Sequence, residues 1–178
     1  VTIGIAPTYP ETGYGYINFS DTEKKSGIYK VKRFVEKPDL KTAKEYLASG
    51  KYLWNSGMFV WKISSIMDNF KKFLPDMYDG LLKIKDAFGT DSFDKVLYDC
   101  FDSFDSESID FGIMEKADDI YTIAGNFGWD DVGSWLAVER INPTDECGNY
   151  ITGDVTAVNT VRTTICGGKR LIAAIGLE

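Results

Sequence analysis

Histidine is absent from the 178-residue chain. That gap removes Ser-His-Asp and Cys-His catalysis, histidine general bases and imidazole metal sites together. Any chemistry must use carboxylates, lysines, hydroxyls, backbone amides or a hard metal ion. Cysteine is scarce: Cys100, Cys147 and Cys166 are odd in number, widely spaced and form no CxxC pair. This argues against a disulfide framework and a structural zinc site, and predicts three reduced packing cysteines. No apolar run approaches the ~18–20 residues of a membrane span, and no charged segment leads into an apolar one as in a secretory leader. A cytoplasmic protein without membrane partners is expected. Positive charge is in deficit, with 20 Lys+Arg against 27 Asp+Glu and a net charge of −7. A broad basic surface for nucleic acid is therefore not expected.

What is present is enough apolar and aromatic matter, 44% and 14%, to build a core. The β-branched run Val1–Ala6 reads as a strand, and 7–15 is dense in turn formers. Tyr14–Ile17 resumes an extended pattern, Asp21–Gly27 reads as a polar hairpin loop, and Ile28–Glu36 alternates as a half-buried strand does. Asp39 is a natural N-cap, Leu40, Ala43, Tyr46 and Leu47 follow at helical spacing, and Gly50 suits the C′ position. Leu53–Trp61 predicts a strand with a sharp irregularity at Gly57. Helical stripes then run from Ile63 to Phe101, with their aromatics in the core. A further helix starts at Ser108–Asp110, a strand follows at Ile120–Ala124, and a glycine-bracketed turn leads into a helix at Ser134–Ile141. Strands alternating with helices predict an α/β sheet. After Asn142-Pro143, Val155–Val158, Val161–Ile165 and Leu171–Ile175 are short β segments with no helix between them. They predict the start of a separate all-β unit, so the expected division is 1–142 and 143–178, with the sequence cut at both ends.

Four constellations could carry chemistry. In Phe34-Val35-Glu36-Lys37-Pro38, alternation along a strand would send Glu36 and Lys37 to opposite faces, but Pro38 ends the strand and both can turn toward one ligand. Glu36 could accept bonds from sugar hydroxyls and Lys37 could neutralise a phosphate; equally, they could be two solvated charges. In Pro10–Tyr16, glycines expose backbone amides and tyrosines offer flat walls for a sugar ring, although a plain turn explains the run as well. Asn55, in Trp54-Asn55-Ser56-Gly57-Met58-Phe59, needs a polar partner, either a ligand or the backbone. Asp130 and Asp131, in the turn Gly128–Gly133, suit Mg²⁺, or one of them N-caps the next helix.

Taken together and in this order, these blocks resemble the sugar-nucleotide pyrophosphorylases, and among them the mannose-1-phosphate guanylyltransferase branch. The resemblance also includes Ser108-Ile109-Asp110-Phe111-Gly112-Ile113-Met114-Glu115-Lys116, and it spans essentially the whole chain. It implies a partial Rossmann-like nucleotidyltransferase domain, a mixed sheet with helices, followed by the start of a left-handed β-helix-like unit. It implies attack of mannose 1-phosphate on the α-phosphorus of GTP, giving GDP-mannose and pyrophosphate with Mg²⁺ as cofactor. Carried over by motif, Lys37 holds the sugar phosphate, Glu36 reads mannose hydroxyls, and Gly13, Tyr14 and Asn55 line the sugar pocket. Asp131 matches a metal carboxylate, Asp130 stands beside it where relatives often differ, and Asp110 lies near the sugar without a set role. Nothing in the sequence matches the family's glycine-rich triphosphate cradle or its first metal aspartate. The chain is thus expected to be the sugar-phosphate half of a longer enzyme, inactive alone, whose complete form is a homo-oligomer. Two alternatives are a nucleotidylyltransferase for another sugar, such as a glucose-1-phosphate thymidylyltransferase, and a non-catalytic subunit of the same fold.

Overall fold

The β-branched and aromatic runs of the first half pair into one mixed sheet in the computed structural model, which describes residues 1–25 and 27–178. Its strands are β1 (Thr2–Ile5), β2 (Tyr16–Lys25), β3 (Ile28–Val35), β4 (Tyr52–Phe59) and β5 (Tyr121–Gly125). The order is β1-β4-β2-β3-β5, and β5 returns to pair parallel with β1, so the strand set closes on itself. Every other pairing in it is antiparallel. Closure was not legible in the sequence, because it depends on pairing across more than a hundred residues. The core cluster is Ile17, Val31, Leu53, Met114 and Ile120, with Phe19, Phe34 and Phe59 packed against them. Burial of this apolar set is the principal source of stability for the sheet.

Local signals decide the elements on either side of the functional segments. Asp39 accepts a bond from the Thr42 amide at 2.7 Å and caps the start of α1 (Leu40–Ser49). Gly50 ends that helix in the left-handed region. β4 contains the expected irregularity: its register against β1 slips between Thr2 and Gly4, and Gly57 sits in the bulge at φ 69°. The Ser56 hydroxyl donates to the Ile3 carbonyl at 2.5 Å and pins the bulge to β1. The helical stretch resolves into α2 (Ile63–Phe73), α3 (Pro75–Ala87) and α4 (Phe93–Ser103). Most of its stripe residues are only half-buried, and Phe101 is exposed.

Three local expectations are corrected. Residues 21–25 are not loop, because β2 continues to Lys25 opposite β3, where ladder hydrogen bonds override a polar composition. Ser26, at the expected loop tip, lies outside the described residues. The helix begun at Ser108 becomes a π-helix, Asp110–Met114. Only Cys100 is a packing cysteine; Cys147 and Cys166 are reduced but exposed.

By contacts, the chain divides into residues 1–127 and 128–178. The expected junction at 142/143 falls within the second unit, where α5 (Trp135–Ile141) packs on β8. That unit holds β6 (Tyr150–Thr152) parallel to β8 (Thr164–Cys166), and β7 (Val155–Val158) parallel to β9 (Ile172–Ile175). Asn149, 3% exposed, ties its turns together. Its side-chain amide donates to Asp145 Oδ2 at 3.1 Å and to the Thr160 carbonyl at 2.8 Å, while its oxygen accepts from the Thr163 amide at 3.0 Å. Asn149→Ala strands the Thr160 and Thr163 backbone groups and is expected to destabilise this unit by about 2–4 kcal/mol. Chemical denaturation followed by hydrogen exchange at Thr163 measures it; wild-type protection there would disprove the role. Among the described residues, no helix is long and apolar enough to cross a membrane.

Candidate functional site

Where β3 ends, Lys37 adopts φ 43°, a left-handed conformation unusual for a lysine and more so for a residue preceding proline. This twist undoes the strand alternation that would have separated Glu36 from Lys37. Lys37 Nζ lies 3.3 Å from Glu36 Oε1, with the lysine side chain 66% exposed and the glutamate 23%. Pro38 is buried and fixes the chain just beyond. An exposed cation therefore lies beside a half-buried carboxylate, an arrangement in which an incoming phosphate could take over the ammonium.

The Glu36 carboxylate lies over Gly15. A Cβ built at Gly15 would overlap Glu36 Oε2 and stand 3.3 Å from Asn55 Cβ, so the absence of a side chain there makes the room that Glu36 occupies. The Gly15 carbonyl accepts a bond from the Asn55 amide at 2.8 Å, joining the loop before β2 to β4. Asn55 Nδ2 donates to Asp110 Oδ1 at 2.8 Å, and Asn55 Oδ1 accepts from the Gly57 amide at 3.2 Å. The partners that the sequence demanded for Asn55 are thus a carboxylate and a backbone amide. Glu36, Lys37, Asn55 and Asp110 form one neighbourhood around Gly15.

Glu115 joins them. Although Glu115 is exposed, what desolvation it has raises its carboxyl from the ordinary value, and the charges of Glu36 and then Asp110 raise it further, against an opposing effect from Lys116. A carboxyl raised on folding contributes stability below its unfolded pKa and loses it as pH rises through the folded value. Glu115→Gln is therefore expected to raise the melting temperature at pH 7, with the gain vanishing near pH 4. Paired melting curves across that range check this, and an equal gain at both ends would contradict it.

The remaining residues of the predicted pocket are placed differently. The Gly13 amide donates to Glu11 Oε1 at 2.8 Å, as the Thr12 amide also does, so Glu11 organises this turn. Tyr14 and Tyr16 are buried and not open walls. Tyr14 meets Trp54 edge-on at 5.3 Å, and Tyr16 donates to the Glu11 carbonyl at 2.8 Å. Apolar burial explains this: the two rings flank a glycine at the entry to a closed sheet.

In the second unit, Arg140 donates to both oxygens of Asp130, at 3.1 and 2.9 Å, a fork that commits this carboxylate. Asp131 is exposed, and its carbonyl accepts from the Gly133 amide at 2.8 Å. Ser134, not an aspartate, occupies the N-cap of α5. Among the described residues, no group of three or more acidic or cysteine side chains could hold a metal by itself. Mg²⁺ usually takes one or two protein carboxylates and completes its shell with water and substrate phosphates, so Asp131 fits as a protein ligand of that kind.

Cavity size does not locate this chemistry. A cavity of about 630 Å³ opens between Trp61, Lys72, Met114 and Asp119, away from Lys37. A smaller one, about 450 Å³, runs along Lys30, Lys32 and Phe34 to Glu115. The residues that sequence reasoning left without a role are Gly15 and Glu115. Both stand inside blocks that had already drawn notice, Gly15 between two tyrosines and Glu115 five residues after Asp110.

A family profile described as nucleotidyl transferase matches residues 1–147. The whole chain aligns at 44% identity with the xanthan biosynthesis protein XanB of Xanthomonas campestris pv. campestris and at 41% with a mannose-1-phosphate guanylyltransferase of Klebsiella pneumoniae. Each alignment covers 38% of the relative, so the chain spans well under half the length of these curated proteins. Among solved structures, one described as a mannose-1-phosphate geranyltransferase from Thermus thermophilus superposes with a TM-score of 0.83 at 32% identity, over 99% of this chain and 50% of that one. A structure described as mannose-6-phosphate isomerase from Helicobacter pylori gives 0.58 at 28% identity, over 73% of this chain and 50% of that one.

Proposed function

Since this chain belongs to the nucleotidyl transferase family, we propose that it is the sugar-phosphate-binding part of a mannose-1-phosphate guanylyltransferase. The complete protein then joins mannose 1-phosphate to GTP, releasing pyrophosphate and GDP-mannose. The observation that carries this reading is the left-handed turn at Lys37, which sets an exposed ammonium 3.3 Å from a half-buried carboxylate. One group neutralises a phosphate and the other accepts bonds from hydroxyls, and a sugar 1-phosphate offers both at adjacent positions.

In-line attack of the sugar-phosphate oxygen on the α-phosphorus forms one P–O bond and breaks the bond to pyrophosphate. Two polyanions must be brought together, so positioning and charge neutralisation supply the acceleration and no histidine base is needed. Lys37 holds the sugar phosphate, Glu36 holds the hydroxyls, and Asn55 offers an amide beside them. In the second unit, Asp131, exposed in the turn before α5, is the carboxylate we assign to Mg²⁺. When bound, such an ion neutralises phosphate charge.

The same reading takes the parallel pairs β6–β8 and β7–β9 as coils of a β-helix-like unit, and expects a cytoplasmic homo-oligomer. Assaying pyrophosphate release by the complete protein that carries this sequence, across a panel of nucleoside triphosphates and sugar 1-phosphates, tests it. GTP with mannose 1-phosphate should be the preferred pair. Preference for dTTP with glucose 1-phosphate would replace this reading with the thymidylyltransferase one, and no release with any pair would favour a non-catalytic subunit.

A further inference from the structure

Asp110 and Asn55 are 55 residues apart in the chain and share a hydrogen bond of 2.8 Å at a partly buried position. The chemistry of the three groups involved fixes how the amide is turned. An ionised Asp110 can only accept, so it faces Nδ2; the Gly57 N–H can only donate, so it faces Oδ1. With both ends engaged, Asn55 cannot flip without losing two bonds. One amide hydrogen and one oxygen lone pair remain, in a fixed sense, on a side chain whose Cβ stands 3.3 Å from where a Gly15 Cβ would lie, the space that Glu36 Oε2 enters.

Asp110 opens the π-helix, and the wide turn sets it and Glu115 on more nearly the same side. In an α-helix, residues five apart point about 140° away from each other. Here the Glu115 amide donates to the Asp110 carbonyl at 2.9 Å, an i→i+5 bond that widens the turn and reduces that angle. Gly112 permits the wide turn to pack, since a Cβ on it would meet Leu74 Cδ1 at 2.9 Å and Glu107 Cγ at 3.1 Å. π-turns are rare and are frequently found at functional sites.

We propose that Asp110 is a positioning residue: it acts through Asn55, setting the sense in which that amide meets a hydroxyl of the sugar phosphate. An amide of fixed orientation holds its N–H and its lone pair at set points, so a hydroxyl on one side of the ring meets them and its epimer's does not, whereas a freely flipping amide adapts to either. This rests on the sugar-phosphate reading above.

The test is a double-mutant cycle in the complete protein, with kinetic constants measured for mannose 1-phosphate, glucose 1-phosphate and GTP. Asp110→Ala should raise KM for mannose 1-phosphate about tenfold, the size of a lost charge-assisted bond, narrow the preference over glucose 1-phosphate, and leave KM for GTP within about twofold. Asp110→Asn, whose oxygen can still accept from Nδ2, should recover most of the loss. On an Asn55→Ala background, Asp110→Ala should add nothing. If Asp110→Ala does not fold, Asp110→Ser takes its place in the cycle. Additive effects of the two substitutions, failure of asparagine to rescue, or an unchanged KM in Asp110→Ala would each overturn the positioning role. A wild-type protein that uses no sugar 1-phosphate would instead sink the functional reading, before any variant is compared.

Discussion

Lys37→Gly is expected to melt at or above the wild-type temperature while losing catalytic efficiency toward the sugar phosphate by about two to three orders of magnitude. The left-handed φ of 43° disfavours any residue with a Cβ by ~1–2 kcal/mol, and glycine removes that strain. Against it stand glycine's greater freedom in the unfolded chain, ~0.5–1 kcal/mol, and the exposed ion pair with Glu36, worth ~0–1 kcal/mol. The activity loss follows from removing the cation that lies 3.3 Å from the Glu36 carboxylate, by analogy with the ~10²–10³ lost with a single charge-stabilising donor. Lys37→Ala should lose the same activity but melt lower, because alanine keeps the strain. Lys37→Arg should rescue poorly, since a planar fork does not occupy the position of a point charge. Steady-state kinetics and melting curves for the three variants check this; full activity in the glycine variant would show that the strain serves no ligand.

Gly15→Ala is the second substitution with a large expected effect, and its signature is the opposite of a core defect. The added methyl would overlap Glu36 Oε2, the far end of a flexible side chain, and stand 3.3 Å from Asn55 Cβ, so the fold yields by moving that carboxylate with a shift of a few tenths of an ångström at Asn55. Efficiency toward mannose 1-phosphate should fall by about tenfold to a hundredfold with a melting temperature close to wild type. Gly4→Ala is the control. Its methyl would stand 2.7 Å from Leu53 Cβ, inside the closed sheet, and is expected to destabilise by about 1–3 kcal/mol without changing KM. Should Gly15→Ala lower stability as Gly4→Ala does and leave KM alone, the placement of Glu36 over Gly15 has no functional meaning.

Much of the frame was legible in the sequence because its signals are local. Asp39 and Gly50 bracket α1 through cap chemistry that needs no tertiary partner. Gly57 announced a break that the β4 bulge realises. What stayed hidden depends on distant packing. Strand β2 passes through polar residues 21–25 because β3 offers it hydrogen bonds, and β6, only three residues long, is fixed by its parallel partner fourteen residues on.

The candidate site divides in the same way. Glu36, Lys37, Asn55 and Asp110 stood out by residue type and motif, yet their convergence required a left-handed lysine before a proline and a π-turn, neither of which local propensity favours. Gly15 draws attention only once Glu36 is seen over it. Tyr14 looked like a sugar wall because aromatic rings suit sugars, but its ring is 8% exposed and belongs to the core.

The central claim is that Lys37 reads the phosphate and Glu36 reads the sugar, and calorimetric binding to the complete protein tests it most directly. Mannose 1-phosphate, glucose 1-phosphate and mannose would be titrated into wild type, Lys37→Ala and Glu36→Gln. Lys37→Ala is expected to lose the advantage of mannose 1-phosphate over mannose, while Glu36→Gln keeps that advantage and loses the preference for mannose 1-phosphate over its epimer. Wild-type affinities and preferences in both variants would contradict it.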